Sequence, residues 1–137
     1  MGGVKGQTFS VLPGTFAICR MGAHALIPSW AAKAFVSITR TDGELSIVCD
    51  DSRLPEARAG GAADFTVERG WSLLKLHGPF PLDTIGVLAS VAKPLAEAGV
   101  SLFALSTFET DYLLVREIHV KRAVLALTRA GHELVEG

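Results

Sequence analysis

Between residue 71 and the C-terminus the apolar residues switch their period from two to three-or-four and back, and then do so a second time. Few folds accept that order of elements. Over residues 71–77, Leu74 and Leu76 fall on one face of an extended strand and Leu73 and Lys75 on the other. Gly78-Pro79-Phe80-Pro81 stops it. From Asp83 onward Ile85, Leu88, Val91, Ala92 and Leu95 recur at the spacing that lines one face of a helix. Pro94 inside that pattern predicts a bend, and Gly99 offers the left-handed conformation that ends a helix. Residues 100–107 read as a strand apolar on both faces, with Leu102 and Ala104 on one and Phe103 and Leu105 on the other, and residues 111–115 as its hairpin partner. A second helix carries Val120, Ala123, Val124 and Leu127 inward and Lys121, Arg122 and Arg129 toward water. Gly131 ends it before a short strand at 133–135.

Written out, this order is βαββαβ, which predicts an α+β, ferredoxin-like fold: a four-stranded antiparallel sheet with both helices on one face. Residues 1–70 are a weaker echo. Strands are expected at 9–12, 15–20, 34–41 and 44–49, the last two joined by an Asp42-Gly43 hairpin turn, while 24–33 and 52–59 hold at most a short turn of helix each. The Gly-, Ala- and charge-rich stretch 50–70 separates the two halves, so a degenerate module is expected over 1–70 and a well-formed one over 71–137. A chain of 137 residues has room for two such small modules, and 49% hydrophobic against 20% charged residues supplies the material for their cores.

Composition removes several function classes. Thirteen Lys and Arg against fourteen Asp and Glu leave a formal charge of -1, so no basic field recruits nucleic acid or an anionic membrane. The mean hydropathy of +0.37 is high. Yet the richest apolar stretch, 85–105, is broken by Ser90, Lys93, Pro94, Glu97, Gly99 and Ser101, short of the roughly 20 apolar residues a spanning helix needs. Residues 1–7 lack a hydrophobic signal core and read as a short flexible leader, so a cytoplasmic location is expected. Cys19 and Cys49 lie in apolar strand-like stretches, as small buried residues of a reducing compartment do. Phosphate-loop, Gly-x-Ser-x-Gly, His-Glu-x-x-His and Cys-x-x-Cys motifs are missing, and His24, His77, His119 and His132 have no ligand spacing. No metal, cofactor or catalysis is expected. Acid-base work by Asp83, Asp111 or His77 would need a nucleophile or an oriented triad that the sequence does not supply.

The chemistry concentrates where the first helix starts and where the 106–111 hairpin turns. Gly86 removes a side chain from the first helical turn, opening the amides of Gly86, Val87 and Leu88 to a carboxylate. The helix dipole adds about 0.3–1 kcal/mol for an anion there. Asp83 reads equally as the helix N-cap or as a ligand contact. Thr107, Thr110 and Asp111 offer hydroxyls and a carboxylate to an ammonium group, although turn chemistry explains the same residues.

The segment 78–115 resembles the ACT domain family, most specifically in Gly86-Val87-Leu88-Ala89, Leu95-Ala96-Glu97-Ala98-Gly99 and Ser106-Thr107-Phe108-Glu109-Thr110-Asp111-Tyr112. Within that family it is most similar to small bacterial proteins with tandem ACT domains, related to the regulatory domains of aspartate kinases and to eukaryotic arginine-sensing proteins. The resemblance is strong over 71–135 and fainter over 7–70, and it implies βαββαβ regulatory modules that bind an amino acid, commonly between ACT domains. It also implies that Ile85, Gly86 and Val87 meet the ligand's backbone end and that Thr107, Phe108 and Asp111 hold its amino or side-chain group. A non-catalytic, amino-acid-binding homodimer is the expected function. The alternative is a structural or oligomerisation module that keeps the ACT fold without a ligand.

Overall fold

The computed structural model describes residues 6–32, 34–54 and 65–136. In chain order the strands and helices are β1 (Thr8–Val11), β2 (Phe16–Met21), β3 (Val36–Arg40), β4 (Leu45–Asp50), β5 (Thr66–Leu76), α1 (Val87–Glu97), β6 (Phe103–Ser106), β7 (Asp111–Arg116), α2 (Val120–Arg129) and β8 (Glu133–Leu134). The chain divides into two compact units, residues 14–71 and residues 1–13 with 72–137. Strand β5 gives its first half to one and its second half to the other.

The second unit is the α+β module, and its sheet runs β6-β7-β5-β1-β8. Two expectations are corrected here. The strand placed in the N-terminal half, β1, pairs antiparallel with β5 in the register Phe9↔Leu76, Ser10↔Lys75, Val11↔Leu74. It also pairs parallel with β8 through Thr8↔Glu133 and Phe9↔Leu134, so the sheet is not purely antiparallel. β1 takes the place between β5 and β8, which a four-strand pattern reserves for direct contact. Phe9, buried on the helix side with Leu74, Leu76, Leu113 and Val115, supplies the apolar surface that makes the insertion favourable.

Helix α1 starts later than its periodicity suggests. Its N-cap is Gly86, at φ 93°, and no side chain caps it. That left-handed residue breaks the pattern carried in from Asp83, so the buried stripe is Val87, Val91 and Leu95, while Ile85 and Leu88 are exposed. Each fully buried aliphatic side chain of this stripe contributes about 1.5–3 kcal/mol. Pro94 lies within the helix. The helix ends as expected on Gly99, at φ 76°, with Gly99 N–H donating to Ala96 O and Val100 N–H to Leu95 O, the paired bonds of a Schellman end. In α2, Ala123 and Leu127 are buried and Val120 and Val124 pack beside them, as the spacing predicts.

The first unit holds β2, β3, β4 and residues 66–71 of β5, in the order β3-β4-β2-β5. The Asp42-Gly43 turn joins β3 to β4, with Thr41 N–H donating to Glu44 O. Strand β5 begins five residues before the expected Trp71. Phe16 faces Trp71 while Ile18 faces Glu68, so β5 carries one extra residue there, and Gly70 at φ 84° takes the bulge. Residues 24–32 form turns rather than a helix, and a 3-10 turn covers Asp51–Arg53. Lys33, the remainder of the expected 52–59 helix from residue 55 onward, and residues 1–5 of the expected leader lie outside the described residues.

Cys19 and Cys49 are buried in this unit's core beside Ala17, Leu45 and Ile47. Ala17 faces Cys49 and Cys19 faces Ile47, so the two thiols are diagonal neighbours on one face. The hydrogen bond between them pushes the Cys19 thiol up, with burial adding to the rise, and draws Cys49 down against the opposing effect of burial. At 1% exposure neither sulfur is open to a reagent. A thiol-reactive dye is expected to label neither cysteine in the native protein and both after denaturation, and rapid labelling of either native thiol would contradict this packing.

Candidate functional site

The chain leaves β5 at Leu76 and returns to order at Gly86, and the β6–β7 hairpin holds the loop between. Phe80 N–H donates to Glu109 O at 2.7 Å, and the buried Thr110 hydroxyl donates to Leu76 O at 2.6 Å. The approach is close enough that a Cβ on Gly78 would stand 2.7 Å from Glu109 O, so glycine is required there. At the tip, Thr107 N–H donates to Thr110 O, and Thr107 Oγ1 accepts from Thr110 N–H at 3.3 Å. Ser106 and Asp111 face each other across the hairpin, and Ser106 Oγ donates to Asp111 Oδ1 at 2.6 Å. Asp111 Oδ2 has no partner among the described residues.

Between this loop, the start of α1 and the hairpin lies a recess of ≈ 160 Å³. Its apolar wall comes from Phe80, Pro81, Leu82, Val87 and Phe108, and its polar wall from Thr84, Ser106, Thr107, Glu109, Thr110 and Asp111. Among the described residues no Lys, Arg or His lines it. Leu82 and Phe108 in its wall are 72% and 78% exposed, and Ile85, next to the helix cap in sequence, is 86% exposed. The amides of the first turn of α1 have no intrahelical acceptor, as in any α-helix, and no side-chain cap supplies one. The volume is below the ~300–1,000 Å³ of drug-sized sites and suits a ligand of amino-acid size. Among the described residues no group of three His, Cys, Asp or Glu side chains is placed to hold a metal.

Of the residues singled out from sequence, Val87, Thr107, Phe108, Thr110 and Asp111 line this recess. Gly86 stands next to Val87 as the helix cap. Asp83 is exposed three residues before the cap, so the N-cap reading of Asp83 is corrected. Ile85 is exposed and is not among the lining residues. The Thr110 hydroxyl is committed to Leu76 O and serves the hairpin. The sequence reading missed Phe80, Pro81, Leu82, Thr84, Ser106 and Glu109 as lining residues. A signal was present in Phe80, a large apolar residue between two prolines, where a solvent-facing turn has no use for one.

Comparison with known proteins follows the same lines. Residues 66–129 match the family model described as ACT domain, and residues 14–57 match a model of an N-terminal domain. The cytosolic arginine sensor for mTORC1 subunit 1 of Bos taurus is 28% identical over 103 residues, covering 74% of this chain and 31% of that protein. Its Rattus norvegicus counterpart is 31% identical over 110 residues, covering 75% and 32%. The chain thus spans about a third of the length of these relatives. Among solved structures, protein Atu0741 from Agrobacterium tumefaciens is 41% identical with a TM-score of 0.85, covering 98% of this chain and 96% of that one. The regulatory subunit of aspartate kinase from Thermus flavus shares the fold at a TM-score of 0.64 and 13% identity, over 92% of this chain and 99% of that one.

Proposed function

Residues 66–129 belong to the ACT domain family, and from that premise we propose that the chain is a non-catalytic regulatory module that binds a basic amino acid in the recess beside Val87. One observation carries this reading. The uncapped first turn of α1 and the free oxygen of Asp111 border a single recess of amino-acid size, and among the described residues its only charged lining groups are the carboxylates of Glu109 and Asp111. A ligand carboxylate belongs at the helix start, where amides and dipole favour an anion. Its cationic groups belong at Asp111 and Glu109, where charge-assisted hydrogen bonds are the strong ones. Relatives named as arginine sensors agree with that sign of charge.

The apolar surface of Leu82 and Phe108 at the recess, with exposed Ile85 just ahead of the helix cap in sequence, is too exposed to be left uncovered at a working site. A second copy of the chain covers it, making the cytoplasmic protein a homodimer whose ligand, bound at the junction, shifts the population between arrangements that a partner protein reads. A thermal-shift screen against the free amino acids tests the binding. L-arginine and L-lysine are expected to raise the melting temperature at millimolar concentration, because a ligand that binds only the folded state must stabilise it. L-aspartate is expected to leave it unchanged. No response to any amino acid would favour the structural module, a reading supported by the turn hydrogen bonds that occupy Thr107 and Thr110.

A further inference from the structure

Pro94 has no N–H, so the carbonyl four residues earlier in α1, that of Ser90, loses its helical donor. A half-buried carbonyl favours another. His132 supplies it, with Nε2 2.8 Å from Ser90 O and the side chain 6% exposed. The other ring nitrogen, Nδ1, lies 2.8 Å from the backbone nitrogen of Gln7. A backbone N–H can only donate, so Nδ1 is the acceptor and carries no proton. The proton is therefore on Nε2, which donates to Ser90 O.

The surroundings place this imidazole with little freedom. Gly131, at φ 101°, closes α2 in a second Schellman end, with Gly131 N–H donating to Thr128 O and His132 N–H to Leu127 O. Glu133 N–H donates to Gln7 O, so Gln7 is bound to residue 132 through its amide and to residue 133 through its carbonyl. A Cβ on Gly6 would collide with the Gly131 carbonyl, which lets the N-terminal segment run this close. On the far side, Ser90 N–H donates to Gly86 O and Ser90 Oγ to Val87 O, and Val87 is part of the recess wall.

We infer that His132 is a positioning residue, which fills the hydrogen-bond gap left by Pro94 and so fixes the first turns of α1 against the segment entering β1. Its consequence for ligand binding rests on the function proposed above, whereas the positioning itself does not. The placement of Gln7 ahead of β1 and the geometry of the recess wall are then coupled through one imidazole ring.

The test is a double-mutant cycle on the full chain, read by urea unfolding. His132→Phe is expected to lower the ratio of folded to unfolded protein about tenfold, because it strands the half-buried Ser90 carbonyl and the Gln7 amide together. In that background Pro94→Ala restores an N–H to Ser90 O and is expected to recover several-fold of the loss, whereas in the wild-type background it finds the carbonyl occupied. Equal effects of Pro94→Ala in both backgrounds would overturn the inference. Should His132→Phe not fold, long-range ¹H–¹⁵N spectra of the wild-type protein decide: a protonated Nε2 with bare Nδ1 is expected, and a protonated Nδ1 overturns it. Neither readout involves a ligand. If L-arginine binds, its affinity is expected to fall at least threefold in His132→Phe and to return in the double variant. If it does not, the proposed function fails while the cycle still judges His132.

Discussion

Leu95→Ala is expected to lower the unfolding free energy by about 2–5 kcal/mol, and Ile85→Ala to change it by no more than about 0.5 kcal/mol. Both residues belong to the same stripe when the sequence is read as one helix from residue 83 onward. In the fold, Leu95 is fully buried against Phe9, Leu113 and Leu127 in the core, so truncating it leaves a cavity that close-packed neighbours cannot refill. Leu95 O also accepts from Val100 N–H, so loosening this turn disturbs the connection that leads into β6. Ile85 precedes the helix cap and reaches water. Urea denaturation of the two variants checks the contrast, and similar losses in both would mean that α1 begins before Gly86.

The second large effect is on binding. Asp111→Ala is expected to weaken L-arginine ten- to a hundredfold, since a hydrogen bond to a charged group is worth about 1.5–3 kcal/mol. Glu109 keeps part of the cation's attraction, which sets the upper bound. Gly86→Leu acts at the opposite end of the ligand. The residue sits at φ 93°, where an L side chain costs about 1–2 kcal/mol, and its bulk would stand beside the amides that receive the carboxylate. Calorimetric titration of both variants is the check. Unaltered affinity in either one would detach the recess from the function assigned to it.

How far the sequence was legible depended on whether a signal was local. The helices and the β6–β7 hairpin announced themselves through periodicity and through Gly99 and Gly131, because caps and amphipathic spacing are properties of neighbouring residues. The place of β1 did not. Thr8–Val11 is four residues long, and what fixes it between β5 and β8 is burial of Phe9 against residues more than sixty positions away. The long β5 was hidden by Glu68-Arg69-Gly70, which reads as a loop until the bulge at Gly70 is seen to absorb it. In the candidate site, the residues on the hairpin and at the helix start could be named because their types are those of turns and caps. Phe80 and Leu82 could not, because the contact of Phe80 N–H with Glu109 O that folds the loop over the recess is long-range in sequence. His132 was read as one of four scattered histidines, since nothing near it in sequence reveals Ser90 or Gln7.

The most direct measurement is a two-dimensional amide NMR titration of the full chain with L-arginine. Saturable shifts concentrated in residues 84–88 and 106–111 are predicted, with the first-turn amides of α1 moving downfield as they acquire a carboxylate acceptor. Saturable shifts clustered in the other unit, or no saturable shift at all, would contradict a ligand site at the start of α1.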